Sequence, residues 1–192
     1  METVRLSGMQ DSTAIIVTGD HGFVSVKKTI SPNIILVKAG LLDAKAGKNR
    51  QWKAIFQTTG GAAFLKLKDS NDKETPAKVR DLIKSMPDSV RTMFRIVDKQ
   101  GLRKIGADPY AEFALAAINT VSMNAATTGT LVTPGKGGTH GYFPDFHDIE
   151  TGFIGYGAGF TSGHKLADFH LTDIAPLVAK MLGMPFSPGK KR

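Results

Sequence analysis

The apolar positions of this chain fall into short continuous runs, with two stretches of helical spacing among them. Thr13 to Thr18 (Thr-Ala-Ile-Ile-Val-Thr) is a β-branched run, which predicts a strand buried on both faces inside an α/β sheet. Ile34 to Lys38, after Pro32, predicts a second short strand, and residues 40–51 a polar surface loop. Ile55 to Thr59 and Ala62 to Leu67 predict strands around Gly60-Gly61, and Val90 to Val97 an extended segment. Ala111 to Ile118 is apolar and short, so strand and buried helix both remain open. Helical spacing is clear twice. Pro76 opens a helix to about Met86 with Val79, Leu82, Ile83 and Met86 on one face. Thr172 or Asp173 caps a second, with Pro176 in its first turn, Ile174, Leu177, Val178, Met181 and Leu182 on its apolar face, and Gly183 at its end. Asp98 caps a shorter helix through Leu102 and Ile105, and Met1 to Gln10 has weak helical character. Residues 127–141 form a loop, Phe153 to Tyr156 a strand, and Ser187 to Arg192 a frayed tail. Intermixed strands and helices favour an α/β class.

Composition narrows the function classes. The chain has 192 residues, 41% hydrophobic and 22% charged, which fits a globular protein rather than a disordered one. No apolar run is long enough to span a bilayer, and Met1 to Gln10 lacks the apolar core of a signal peptide. The absence of cysteine excludes a disulfide scaffold, a thiol nucleophile and a thiolate metal site. The net charge of +8 is uneven: residues 27–104 hold 18 basic and 7 acidic residues, and the flanks are slightly acidic. Acids and apolar residues separate most of these lysines and no aromatic residues interleave with them, so a solvated face is expected there rather than a nucleic-acid platform.

Two local features carry chemistry. Asp20-His21 follows directly on the first predicted strand, and ligands of α/β sheets bind beyond the carboxyl ends of strands. Gly19 and Gly22 let the chain turn so that carboxylate and imidazole can face one site, a pair suited to Zn²⁺ or Mn²⁺. A capping Asp beside a structural His is the plainer alternative. The second feature is Gly137-Gly138-Thr139-His140-Gly141-Tyr142, where flanking glycines allow close backbone approach. Asp145, His147 and Asp148 imitate a metal cluster but are expected in a surface loop, and His164 and His170 at structural or exposed positions. Thr127, Thr128, Thr130 and Thr139 are expected to be turn residues, and Trp52 and Phe56 packing residues.

Together these segments resemble the alkaline phosphatase superfamily, and more closely its type I phosphodiesterase/nucleotide pyrophosphatase branch. Thr-Ala-Ile-Ile-Val-Thr-Gly-Asp20-His21-Gly is similar to the strand-plus-ligand element, Gly-Gly-Thr-His140-Gly-Tyr-Phe-Pro to the late metal-binding His loop, and Asp173-Ile-Ala-Pro176 with Met-Leu-Gly-Met-Pro to the closing helix. The resemblance implies an α/β sandwich, with a mixed, mainly parallel sheet and helices on both faces. Residues 1–44 and 111–192 would be the C-terminal part of that core, and residues 45–110 a basic, cap-like α+β insert. It implies two divalent metal ions, zinc or else manganese, with Asp20 and His21 on one and His140 on the other. The substrate would be a phosphate ester or nucleotide.

The family's nucleophile and its Asp-x-x-x-His pair precede the Asp-His element, and residues 1–19 supply neither. The expectation is therefore a C-terminal part of a two-metal phosphoric ester hydrolase that is inactive alone, with a missing N-terminal half or a second copy as its partner. The parent protein would be periplasmic or secreted, as the resembling enzymes often are. Two alternatives remain open: a non-catalytic relic of the fold that binds an anion or a partner, and another superfamily chemistry such as a phosphomutase or a sulfatase.

Overall fold

The computed structural model describes residues 1–45, 47 and 50–187. Its helices are α1 (Glu2–Leu6), α2 (Asn33–Lys38), α3 (Glu74–Lys84), α4 (Asp88–Arg91), α5 (Lys99–Lys104) and α6 (Ile174–Met181). Its strands are β1 (Ala14–Thr18), β2 (Val24–Ser25), β3 (Lys28–Ile30), β4 (Ala54–Thr58), β5 (Ala62–Leu67), β6 (Phe94–Asp98), β7 (Ala111–Ala117), β8 (Val121–Met123), β9 (Val132–Pro134), β10 (Gly138–Thr139) and β11 (Phe153–Gly157). They divide into two compact units, Met1–His21 with Glu150–Arg192, and Gly22–Ile149. Among the described residues no helix is long and apolar enough to cross a membrane.

The first unit is built on an antiparallel ribbon in which β1 pairs with β11, from Ala14↔Gly157 to Thr18↔Phe153. Cross-strand partners share a face. Ile15, Val17, Ile154 and Tyr156 therefore lie on one side, and Val17, Ile154 and Tyr156 are 58%, 65% and 59% exposed. On the other side Phe153 packs against Phe160 and Phe169, with ring centroids 6.3 and 4.5 Å apart. The burial of β1 on both faces, expected from its sequence, is thus not met: among the described strands it has one neighbour, and its apolar face is open. A β-branched run reports a preference for extended backbone, not how many strands flank it. α6 forms where it is predicted, with Asp173 at its N-cap position, but the Asp173 side chain makes no capping bond to α6. The Asp173 carboxylate accepts from the His170 N–H at 2.9 Å just before it, and Gly183, at φ +65°, follows its last turn. Of the tail expected to fray, residues 188–192 lie outside the described residues.

The second unit centres on a four-stranded antiparallel sheet in the order β4-β5-β7-β6. Alternation along β5 and β7 creates two unlike faces. Ala63, Leu65, Phe113 and Leu115 meet Val79, Ile83 and Met86 of the α3 segment in the larger core. Ala62, Ala114 and Ala116 line the other face, whose small side chains leave room for Leu102 and Phe143, and Phe143 stacks on Phe64 at 6.0 Å. β3 lies between β8, to which it is parallel, and the antiparallel β9, while β2 pairs with β10. The sheets are therefore mixed, with β3–β8 the parallel pairing among the described strands. β7 is an inner strand bonded to β5 and β6, so this sheet continues across residue 110.

Three local expectations need correction. Ile34 to Lys38 is helical, not a strand: Pro32 sits at φ −65° and ψ −23°, helical values, and Ile34 and Leu36 are buried. Apolar runs this short do not distinguish a strand from a buried helix. The start of the extended segment expected over Val90 to Val97 is a helical turn, α4, and β6 begins at Phe94. The loop expected over 127–141 contains the short strands β9 and β10.

Asn33, 1% exposed, closes the outer edge of β4. Its side-chain amide donates to the Phe56 carbonyl at 2.9 Å and accepts from the Phe56 N–H at 2.8 Å, as a neighbouring strand would. Part of the basic surplus is balanced by acids from later in the chain: Lys66–Asp108 at 2.5 Å, Arg95–Asp145 at 2.6 Å and Lys99–Glu112 at 2.6 Å.

Candidate metal site

β1 delivers Asp20 and His21. The Thr18 hydroxyl donates to the Gly152 carbonyl at 3.0 Å, which fixes the end of β1 beside the start of β11. Gly19 follows where a side chain has no room, since a Cβ there would lie 2.5 Å from the Thr151 hydroxyl oxygen. The chain then turns, and the two adjacent side chains converge. Asp20 Oδ1 accepts from the His21 N–H at 3.1 Å, and Asp20 Oδ2 lies 3.5 Å from His21 Nε2. Asp20 is 89% exposed and His21 26%. Ligands about 2.0–2.1 Å from a tetrahedral zinc are roughly 3.3 Å from one another. This carboxylate–imidazole pair is therefore spaced as two ligands of one ion would be, and its donor set fits a divalent metal.

His140 lies in the second unit, next to β10. Its exposed ring meets Phe23 edge-on at 5.4 Å. Tyr142, two residues on, is buried, stacks on Phe146 at 4.4 Å and donates its hydroxyl to the Val121 carbonyl at 2.7 Å. Burial pushes the Tyr142 phenol above its ordinary value, so it stays neutral and serves as a donor. The sequence-derived ligands are thus divided, with Asp20 and His21 in one unit and His140 in the other. Among the described residues no group of three or more His, Cys, Asp and Glu is assembled as a metal cluster.

Three of the other candidates, Asp145, Asp148 and Thr127, have structural partners. Both carboxylate oxygens of Asp145 accept from Arg95, at 2.7 and 2.6 Å, and Asp148 accepts from the Asn119 side chain at 2.8 Å. The Thr127 hydroxyl donates to the Ala44 carbonyl at 2.8 Å. His164 lines an open cavity of about 750 Å³ in the first unit, with Lys165, Phe153, Phe160 and Phe169. Sequence reasoning missed the Thr59-Gly60-Gly61 turn, which touches the backbone around His140: the Gly61 N–H donates to the His140 carbonyl at 2.8 Å. The paired glycines were its one visible signal.

Three solved structures share this architecture over the whole chain, which defines an alkaline-phosphatase-like α/β fold. Human ectonucleotide pyrophosphatase/phosphodiesterase 5 matches with a TM-score of 0.68 at 14% identity. The murine protein matches at 0.67 and 15%, and an inactive variant of it in complex with AMP at 0.66 and 14%. Each match covers 100% of this chain and 46% of the other, so the chain spans about half the length of these structures. The sequence model of the type I phosphodiesterase/nucleotide pyrophosphatase family matches residues 1–143. The chain belongs to that family. No curated protein matches its sequence.

Proposed function

We propose that this chain is the C-terminal part of a two-metal phosphoric ester hydrolase of the phosphodiesterase/nucleotide pyrophosphatase type, and that it does not turn over substrate alone. The observation that carries this is the Asp20–His21 pair, 3.5 Å apart at the end of β1, within the stretch that the family matches. Asp20 and His21 would hold one divalent ion, zinc or manganese, and His140 the other. When bound, such ions stabilise charge on a transferring phosphoryl group and activate a nucleophile. The role of this chain's residues is then to hold and orient. The carboxylate supplies charge, and the imidazole, neutral as a ligand, supplies a nitrogen lone pair. The AMP complex of the murine relative supports a nucleotide or related phosphate ester as substrate.

Inactivity rests on ligand number. A catalytic zinc generally takes three protein ligands and a water, and the described residues assemble no such group. The purified chain is expected to bind zinc weakly and to leave bis-p-nitrophenyl phosphate intact. Asp20→Ala and His140→Ala should each lower zinc occupancy in equilibrium dialysis. Robust metal-dependent cleavage by residues 1–192 would overturn the inactivity, and unchanged occupancy in both variants would remove the site assignment. The open apolar face of the β1–β11 ribbon supports a remaining half of the fold, or a second copy of the chain, as partner.

A further inference from the structure

The backbone around His140 is held far more tightly than an exposed loop requires. Thr139, before it, pairs with Val24 in the β2–β10 ladder. Its own carbonyl accepts from the Gly61 N–H at 2.8 Å, and the Gly141 carbonyl accepts from the Thr59 hydroxyl at 3.0 Å. The turn is tied on its other side, where the Met123 N–H donates to the Gly60 carbonyl at 2.6 Å. Three glycines mark how closely the two segments meet. A Cβ on Gly60 would lie 2.5 Å from the His140 carbonyl oxygen, one on Gly61 2.3 Å from the Tyr142 ring, and one on Gly141 1.9 Å from the Thr59 carbonyl oxygen. Gly60 and Gly141 also have φ of +96° and +75°, which disfavours any other residue. All of this fixes a residue whose imidazole is exposed, with Phe23 against its edge.

We infer that the Thr59-Gly60-Gly61 turn is a positioning device for the His140 imidazole, with the Thr59 hydroxyl as its adjustable contact. Thr59 and Gly61 are positioning residues: they act on the backbone of residues 140 and 141, not on a ligand. Fixing the backbone costs conformational entropy whenever it happens. A loop held in advance has met that cost before an ion arrives. The inference rests on the assignment of His140 to a metal ion, and its test separates the two.

The test uses the full chain with selectively labelled histidine and leucine; its five histidines give a countable set of ring resonances, and the leucines report on the core. Thr59→Val removes the hydroxyl at constant shape, Thr59→Ser keeps it, and Gly61→Ala crowds the Tyr142 ring. Without metal, Thr59→Val is expected to shift the His140 ring signals and weaken its Phe23 cross-peak while Leu65 and Leu115 signals stay in place. Thr59→Ser should restore the wild-type positions. His140 signals unmoved in Thr59→Val and Gly61→Ala would overturn the inference. If Gly61→Ala fails to fold, the valine–serine pair decides alone. Zinc is then titrated in. His140 in Thr59→Val should require about tenfold more zinc than wild type, the scale of losing a group that orients a ligand. Equal requirement in the two would also overturn the inference. Should zinc leave wild-type His140 untouched, the metal assignment falls, and the metal-free comparison still decides the clamp.

Discussion

Asn33 offers the sharpest test of how the second unit is held together. In an antiparallel strand the N–H and C=O of one residue point to the same side. Those of Phe56 both engage Asn33, so they face away from β5. Both residues are 1% exposed, so water does not replace the amide in the native structure. Asn33→Leu keeps the volume and removes both partners, leaving a buried donor and a buried acceptor unpaired. At about 1–3 kcal/mol each, the expected loss is roughly 2–6 kcal/mol, a large part of the ~5–15 kcal/mol available to a domain. Asn33→Ala should cost less if a water enters the space and bridges the two groups. Urea unfolding followed by the fluorescence of Trp52, the single tryptophan, which packs against the same core, gives the midpoint directly. A leucine variant within 0.5 kcal/mol of wild type, about the limit of a neutral surface change, would refute the edge-cap argument.

Three further outcomes follow from the same structure. Tyr142→Phe leaves the buried Val121 carbonyl without its donor and should cost about 1–3 kcal/mol in the same assay. Because the folded phenol is raised, the unfolded chain ionises first: stability holds below about pH 10 and falls as pH rises through the folded value, a decline that the phenylalanine variant should lack. Asp72 behaves oppositely. The Thr75 hydroxyl, at 2.5 Å, and the Thr75 and Glu74 N–H groups hold its carboxyl below the usual range, so its contribution is present above about pH 4 and lost as pH falls through the folded value. Asp72→Asn should flatten that acid limb in pH-dependent melting. Finally, the isolated chain should self-associate through the open ribbon face, and Val17→Lys with Ile154→Glu should raise its monomer fraction in light scattering. A wild-type chain that elutes as a clean monomer removes this expectation.

What was legible in the sequence was whatever local rules decide. α6 is marked by Pro176 and Gly183, α5 by Asp98, whose carboxylate accepts from the Gly101 N–H at 2.8 Å, and the β4–β5 hairpin by Gly60-Gly61. α2 was illegible because its buried residues suit a strand as well, and what decides is Asn33 docking on Phe56, a contact across 23 positions. At the site, Asp20 and His21 were legible because they are adjacent and follow a strand. The hold on His140 was not, because it comes from residues about eighty positions earlier, in the stretch expected from the sequence to be an insert. Its only trace was a pair of glycines, which hairpin turns also use.

The pairing of β1 with β11 also sets an order of events during synthesis. The two strands are separated in sequence by the entire second unit, so β1 leaves the ribosome before β11 is made. At about 5–20 residues per second, roughly 7–27 seconds pass before β11 follows. Throughout that interval an Ala-Ile-Ile-Val-Thr strand, with no charge and no proline, lacks its β11 partner, and the edge that β11 will take can pair with other chains. The intervening unit can build its sheets as soon as it is complete, whereas the strand that carries Asp20 and His21 on its far end pairs late. The nascent chain therefore needs shielding at residues 14–18 until β11 is made, and a chaperone that holds extended apolar segments would raise the yield of folded protein more than one acting after release.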